Sequence, residues 1–213
     1  MAAISKQYSY AMNSNHGFES DNILTVPFHE MNKQLTLNEL GNHPQVKAIT
    51  ASSNLPGLVL PNAVKATSND IDTIDTKQVF VHDQFMENME IELEWGESES
   101  MKKSTQNEEQ VLVNQQLIES LKVFNVQKDT LRFTLADGTN CRVVGIVNDF
   151  NFEPLTETIS PLLIRYSLAN SNFALMTVSS SNMKRTISEL EDIWLGIDQE
   201  QNFHATFLDD EIE

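Results

Sequence analysis

The sequence is short of the residues from which many catalytic and cofactor sites are built. One cysteine, Cys141, occurs among the 213 residues, so an internal disulfide is excluded. Cys141 lies in a strand-like run, where a buried small apolar residue is the expected role. None of the seven glycines is followed by lysine and no two are spaced as GxG, which excludes phosphate-binding loops of the Walker and dinucleotide types.

Histidine is scarce as well, and its five copies are scattered without a pair at metal-ligand spacing. The motifs GxSxG and HExxH do not occur. His82-Asp83 is the nearest approach to a catalytic pair, and an ordinary surface hydrogen bond is the expected role of that pair. The sequence therefore predicts no catalytic residue, no metal and no cofactor.

Basic residues are few: 14 lysines and arginines stand against 31 acids, for a formal net charge of −17. A surface this negative repels phosphate backbones, so nucleic acid is excluded as a partner. The acids are spread along the chain and favour solubility. The acidic stretch with Asp70, Asp72 and Asp75 lacks the turn glycine and the bidentate glutamate of an EF-hand, and it is predicted to be a solvated loop.

Long hydrophobic runs are also missing. No apolar run approaches the roughly 20 residues of a membrane span, and residues 1–18 contain no apolar core of the signal-peptide kind. Hydrophobic residues still make up 40% of the chain, so a packed core is expected. Two interpretations remain open here, namely a soluble intracellular protein and a soluble piece of a longer chain.

What the sequence does contain is a strand–helix–strand pattern at each end. Residues 22–28 and 46–53 are rich in strand formers, and helically spaced leucines lie between them, with Gly41 at the expected C-cap. Residues 173–179 and 203–208 are predicted strands around a helix that follows candidate N-caps at 180–182. That helix carries an apolar stripe at spacings of four, three, four and three, formed by Met183, Ile187, Leu190, Trp194 and Ile197. Both helices are expected on one face of a shared sheet.

The middle of the chain differs. Residues 55–76 are predicted to be an irregular excursion and residues 97–109 a solvated loop. Asn114 is predicted to cap a short helix, and Asp137-Gly138 indicates a hairpin with a type I′ turn. We therefore predict an α+β fold: a discontinuous porter-like α+β subdomain of two strand–helix–strand units, with an inserted, mainly β subdomain. The porter-like part comprises 1–57 and 155–213, and the insert comprises 58–154.

The stretch VVGIVNDFNFEPL at 143–155 is the predicted exit from the insert. Strand formers stop at Asn148, two aromatics follow, and a proline fixes the path of the chain. We predict a structural joint between the two subdomains, formed by Asp149, Phe150, Phe152 and Pro154. The competing interpretation is a small acidic hydrolase in which Asp149 and Glu153 act as the acid and the base.

The order of segments resembles the periplasmic core domain of MacB/FtsX-type ABC-transporter permeases. The resemblance runs from about Gln7 to the end, and its most specific part lies around Gly145, Asp149, Phe152 and Pro161. Pro56-Gly57 and Val113-Asn114 support it. The family implies a two-part domain, of porter-like and inserted subdomains, at the periplasmic side of the bacterial inner membrane, between two transmembrane helices that lie outside this sequence.

The resemblance also implies a function and partners. The domain would carry no catalytic residues and would pass ATP-driven motion of the membrane helices to periplasmic cargo or to an envelope partner. Its partners would be the transmembrane helices of the same permease, a separate cytosolic ATPase subunit, a second permease copy or half, and a periplasmic adaptor. The alternative is a free-standing secreted protein that binds a carbohydrate or a partner protein.

Overall fold

A computed structural model describes residues 17–58, 61–68, 72–121 and 131–212. The strands are β1 (Ile23–Pro27), β2 (Val46–Ser52), β3 (Asn62–Ser68), β4 (Asp72–Val81), β5 (Leu93–Gly96), β6 (Glu109–Asn114), β7 (Arg132–Leu135), β8 (Asn140–Val147), β9 (Leu162–Tyr166), β10 (Phe173–Val178) and β11 (Thr206–Phe207). The α-helices are α1 (Lys33–Gly41), α2 (Phe85–Asn88), α3 (Gln115–Ser120), α4 (Met183–Ile197) and α5 (Leu208–Ile212), and Ser98–Lys103 form a 3₁₀ helix.

The two ends of the chain build an open antiparallel sheet in the order β11-β1-β10-β2. Alternate strand residues point to opposite faces of the sheet. Leu24 of β1 and Met176 of β10 pack with Leu40 of α1 and with Leu190 and Trp194 of α4 in one hydrophobic cluster. Both long helices therefore cover the same face, and the predicted α+β class is confirmed.

Each long helix begins at an asparagine whose side chain accepts a backbone N–H of the first turn, Asn32 for α1 and Asn182 for α4. The predicted C-cap role of Gly41 is wrong. Gly41 is the last residue of α1, and Asn42 caps the helix in a right-handed conformation. A Cβ on Gly41 would lie 3.0 Å from Cγ2 of Ile49, so the glycine lets the helix approach β2 closely.

Five strands from the middle of the chain form a closed ring of six together with β9. Successive pairings run β3-β4-β9-β6-β8-β7 and return to β3. Closure satisfies the backbone hydrogen bonds that a sheet edge would leave open. One hydrophobic cluster contains side chains from β3, β6, β7, β8 and β9, including Ala66, Val111, Val113, Phe133, Cys141 and Leu163. We call this ring the barrel.

The prediction of an irregular excursion over 55–76 is wrong, because β3 and β4 form a seven-pair antiparallel ladder there. Only Val64, Ala66 and Ile74 of the two strands belong to the barrel's hydrophobic cluster, so the apolar alternation is faint. Asp75 stands opposite Lys65 in the ladder, in a strand and not in the predicted acidic loop. Asp72 is the first residue of β4, and Asp70 lies outside the described residues.

Three other local predictions change. The strand predicted at 203–208 covers only Thr206 and Phe207, because the acidic residues after Leu208 suit the first turn of a helix, α5. The hairpin at 137–138 is present, but the N–H of Gly138 donates to the carbonyl of Leu135 at 2.9 Å, so Ala136 and Asp137 are the central residues of the turn. Neither has a positive φ, whereas Gly138 does, at 89°, so the turn is not type I′. The loop predicted at 97–109 contains the 3₁₀ helix, which buries Met101.

The open sheet and the barrel are joined along β2 and β4. Ser52 pairs with Val81 in register, and the N–H groups of Ser53 and His82 donate to the carbonyls of Phe80 and Ala51 at 2.8 and 2.9 Å. β9, which follows residue 155, pairs with β4 and β6 inside the barrel. The subdomain boundaries at 57/58 and 154/155 stay a prediction. Within the described residues, the helices lack the length and apolar character needed to cross a membrane.

Replacing Leu190 with alanine is expected to lower the free energy of unfolding by about 2–5 kcal/mol, because Leu190 is 0% exposed beneath α4. Urea denaturation followed by circular dichroism measures the loss. Leu35→Ala is the matched control on α1: Leu35 is 42% exposed, so the change should stay near ~0.5 kcal/mol or below. Equal losses in the two variants would contradict the packing described here.

Candidate functional site

Two buried aromatic rings occupy the irregular segment after β8. Phe150 and Phe152 lie with ring centroids 5.8 Å apart at an interplanar angle of 72°, and Phe18 packs on Phe150 at 6.4 Å and 82°. Edge-to-face rings of this kind add to the stabilisation from burial alone. Their hydrophobic cluster also holds side chains of the open sheet, Ile23 and Leu175, and of the barrel strands, Val79, Leu112 and Ile164. The rings thus pack where the two sheets meet.

A turn before the barrel contacts the same rings. The N–H of Leu58 donates to the carbonyl of Leu55 at 3.3 Å, and Pro56 and Gly57 occupy the central positions. Gly57 has a φ of +80°, as the third residue of a type II turn requires. The N–H of Gly57 donates to the carbonyl of Phe152 at 2.8 Å. This hydrogen bond connects residues 95 positions apart in the sequence.

The first and last described segments of the chain reach this turn. A Cβ on Gly57 would lie 3.1 Å from Cδ1 of Ile212 at the end of α5, and 3.5 Å from Cζ of Phe18. The N–H of Glu19 donates to the carbonyl of Met89 at 2.8 Å, which fixes the entering segment against α2. The first described segment, the end of α5 and the turn at Gly57 therefore pack together beside Phe150.

Asp149 fastens the segment to α3. Its carboxylate accepts from the backbone N–H of Gln116 at 3.1 Å and from the side-chain amide of Gln116 at 3.4 Å. Backbone N–H groups in the first turn of a helix have no partner within the helix, and a carboxylate satisfies them well. The carboxylate of Asp149 therefore has a structural role, as the hydrogen-bond acceptor for the first turn of α3.

Asn114 holds the other end of the segment. It is 1% exposed, and its side-chain oxygen accepts from the N–H groups of Leu117 at 3.0 Å and Leu162 at 2.8 Å. Its amide nitrogen donates to the carbonyl of Ser160 at 2.9 Å. The predicted helix cap is confirmed, and the same side chain also anchors the start of β9, which the sequence pattern did not indicate.

The remaining predicted joint residue, Pro154, is half-buried and follows the buried Glu153. Glu153 is 7% exposed and forms an ion pair with Lys77 at 3.8 Å. The carbonyl of Pro154 accepts from the N–H of Glu157 at 2.8 Å, which closes a turn. We use the name joint segment for residues 148–161. It brings together all four predicted joint residues, and its contacts to Gly17, Gly57 and Asn114 were missed from the sequence.

The two carboxylates of the competing hydrolase do not share a cleft. Asp149 lines a cavity of about 400 Å³ with Gly17, Glu19 and Glu90, whereas Glu153 lines a different one beside Lys77. General acid and base residues must reach opposite sides of one substrate bond. The geometry gives the hydrolase no support.

His82 and Asp83 belong to a network that fastens the 3₁₀ helix to β9. Asp83 accepts from the hydroxyl of Tyr166 and from Lys102, both at 2.8 Å, and the ring of His82 stacks on Tyr166 at 5.3 Å. Burial, together with the hydrogen bond donated to Asp83, raises the pKa of Tyr166 to about 12. Burial lowers the pKa of His82. His82 and Asp83 thus take part in this larger network instead of the simple surface hydrogen bond that the sequence predicted for them.

Cys141 and the acidic residues of α5 also occupy structural positions. Cys141 is fully buried in the barrel, and burial raises the pKa of its thiol to about 12, so it is not a thiolate at neutral pH. Asp209, Asp210 and Glu211 form the first turn of α5. In the described part of the chain, no group of three histidine, cysteine or carboxylate side chains is arranged to hold a metal ion.

Comparison with solved structures gives the fold a known counterpart. The periplasmic region of MacB from Actinobacillus actinomycetemcomitans matches with a TM-score of 0.62 at 13% identity, over 94% of each chain. The extracellular domain of the noncanonic ABC-type transporter YknZ from Gram-positive bacteria matches at 0.61 and 12%, over 87% of this chain and 100% of that one. A domain of a permease protein from Porphyromonas gingivalis matches at 0.65 and 14%, over 92% and 99%.

The chain has the fold of a MacB-type periplasmic domain. No protein-family model matches the sequence, and no curated protein matches it. The family resemblance seen in the sequence is thus confirmed at the level of the fold. The match covers nearly the whole of each solved domain, so the open sheet and the barrel both have counterparts there.

Replacing Gly17 with alanine is expected to lower the free energy of unfolding, because the added methyl group would press on the joint segment. The residue has a φ of +79°, and a Cβ there would lie 2.8 Å from Cβ of Phe150. Gly138→Ala is the matched control, with a φ of +89° and no atom within 4 Å of the added methyl. The control should lose about 1–2 kcal/mol for the left-handed backbone, and Gly17→Ala a further ~1–3 kcal/mol for overpacking. Urea denaturation measures both, and identical losses would refute the close contact.

Asn114→Ala is expected to cost about 3 kcal/mol or more, because it strands two buried N–H donors and one carbonyl. Asn182→Ala provides the comparison. Asn182 also caps a helix, but it is exposed, and its side chain accepts from a backbone N–H of the first turn, that of Arg185. Its removal should cost about 1 kcal/mol. Thermal unfolding of both variants tests the difference, and a smaller loss for Asn114→Ala than for Asn182→Ala would rule out the anchoring role.

Proposed function

We propose that this chain is the extracytoplasmic domain of an ABC-transporter permease, at the periplasmic side of the bacterial inner membrane. It transmits ATP-driven motion of the permease's membrane helices to periplasmic cargo or to an envelope partner, in export or efflux. The observation that carries the proposal is the meeting of the first and last described segments at one turn. Phe18 and Ile212 both pack at Gly57, whose N–H is bonded to the joint segment.

This arrangement suits a domain that is moved from its two ends. A displacement applied through Gly17–Glu19 and through α5 reaches the same hydrophobic cluster, which also contains barrel side chains. Packed cores deform little, so a displacement at one side is passed on as rigid-body movement. The joint residues Asp149, Phe150, Phe152 and Pro154 act in this proposal as the connection between the porter-like part and the insert.

The proposal implies a set of partners. The membrane helices of the same permease continue from the domain, and a separate cytosolic subunit hydrolyses ATP. A second permease copy or half lies beside it, and a periplasmic adaptor receives the movement. The fold match to periplasmic domains of transporters supports this assignment over the secreted binding protein.

A cysteine-labelling experiment in the producing bacterium tests the location. In a parent chain that keeps Cys141 as its one native cysteine, Glu191→Cys places a thiol on the exposed face of α4. A membrane-impermeant maleimide should label Glu191→Cys in intact cells whose outer membrane, where present, is permeabilised, and the chain should remain with washed membranes. Cys141 is buried and is the internal control, labelled only after denaturation.

Two outcomes would overturn the proposal. Labelling of Glu191→Cys only after cell lysis would place the domain in the cytoplasm. Labelling of a chain that is released as a soluble protein would establish the secreted alternative.

The coupling is then tested in nanodiscs with the ATPase subunit. ATP trapping should change the distance between spin labels at Glu191→Cys on two copies. The distance between labels at Glu191→Cys and Lys65→Cys within one copy should stay unchanged.

A further inference from the structure

A polar groove at one end of the barrel has no role in the proposal above. It has a volume of about 800 Å³ and is lined by the loop that follows the 3₁₀ helix, by the β7–β8 turn and by the end of β9. That volume lies within the range of small-molecule sites. The groove therefore has room for a ligand of several rings.

The charged side chains of the groove already have hydrogen-bond partners. Arg165 donates to both carboxylate oxygens of Glu109 at 2.8 and 2.6 Å, and to the side chain of Gln78 at 2.9 Å. Glu108 accepts from Arg132 at 2.7 Å. Hydrogen bonds from the side chain and the backbone N–H of Thr139 lower the pKa of Asp137. An ionic ligand would have to displace these bonds, and the excess of acids repels an anion.

The rest of the polar lining is uncharged. Side-chain amides and hydroxyls ring the groove, contributed by Gln106, Asn107, Asn140, Ser167 and Asn170. Amide side chains offer two donors and an acceptor each, and hydroxyls offer both roles. The amide of Asn170 donates to Ser167 at 3.0 Å and the side-chain oxygen of Asn140 accepts from Thr134 at 3.1 Å, which leaves each amide with further bonding capacity. These groups match a ligand that carries many hydroxyl groups and no charge.

The floor of the groove is partly apolar. The guanidinium of Arg165 lies over the ring of Phe80 at 4.8 Å, held by its bonds to Glu109. Phe80 and Tyr166 both contribute to the lining. A pyranose ring has polar edges and a less polar C–H face, so it can pack on such a floor while its edges bond to the amides above.

We propose that this groove binds a short neutral oligosaccharide. The bonds to the sugar hydroxyls come from the side chains of Asn107, Asn140 and Asn170 on three different segments, and the Phe80–Arg165 pair supports one sugar ring. The proposal concerns a surface of the barrel, away from the joint segment, and does not depend on transport.

Titration of ¹⁵N-labelled chain 1–213 followed by NMR tests the groove. The probes are maltotriose, cellotriose and tri-N-acetylchitotriose, each to about 10 mM, tenfold above the ~1 mM dissociation constant that corresponds to about −4 kcal/mol. At least one should shift amide signals within 104–109, 137–140 and 165–170. The identity of that probe separates α-linked storage glucans, β-linked structural glucans and N-acetylated wall glycans as the source of the ligand.

Variants complete the test. Asn107→Ala and Asn140→Ala should each weaken the binding about two- to tenfold, the loss of one hydrogen bond, while the exposed Asn202→Ala, outside the groove, should leave it unchanged. No shifts with any of the three sugars would overturn the proposal. So would tighter binding of tetralysine or of a sulfated disaccharide at the same signals, since charge would then govern the groove. Failure here leaves the labelling result at Glu191→Cys untouched.

Discussion

The hydrophobic contact between Phe150, Phe152 and the Gly57 turn is the constraint on which the arrangement of the molecule depends. One cluster holds side chains of the open sheet, the barrel, the first described segment and α5, and it adds packing between the two sheets to their backbone pairing along β2 and β4. Hydrogen bonds fix its geometry: Gly57 donates to the carbonyl of Phe152, and Asp149 accepts from Gln116. Burial provides most of the stabilisation, and the directional bonds select one arrangement of the rings. The wide sequence separation of these contacts makes them costly to form early in folding.

The porter-like part was predictable from the sequence because its signals are local. The stripe of α4, with Leu190 and Trp194 fully buried, repeats within one helix, and Asn182 caps it by a bond three residues away. The β3–β4 ladder was not predictable in the same way. Its inward side chains are small or sparse, and it closes a ring with β7 and β9, whose paired residues lie 67 to 85 positions further along the chain. A local pattern carries no information about such partners, and here tertiary pairing overrides a weak propensity.

The candidate site shows the same limit. The segment 148–155 was recognisable from the end of its strand, its two aromatics and its proline, and these mark a change of direction without identifying the contacts. Gly17, Gly57 and Asn114 complete the site through backbone geometry and three buried hydrogen bonds. The pair Pro56-Gly57 was a readable turn signal, since a type II turn needs a positive φ at its third residue. What the turn contacts depends on packing between segments far apart in sequence, which spacing alone does not encode.

β9 connects the joint to the groove. Its first residue, Leu162, is held by Asn114 beside the joint segment, and its last two, Arg165 and Tyr166, line the groove. Five residues of strand span roughly 13 Å between the first and last Cα atoms, and the strand is bonded on both sides, to β4 and to β6. A sugar in the groove would therefore contact the same rigid element that the joint anchors. If movement of the joint changed the affinity for that sugar, the sugar would by reciprocity bias the position of the joint by the same free energy. In that case occupancy of the groove would affect the joint segment, beside which the first and last described segments meet.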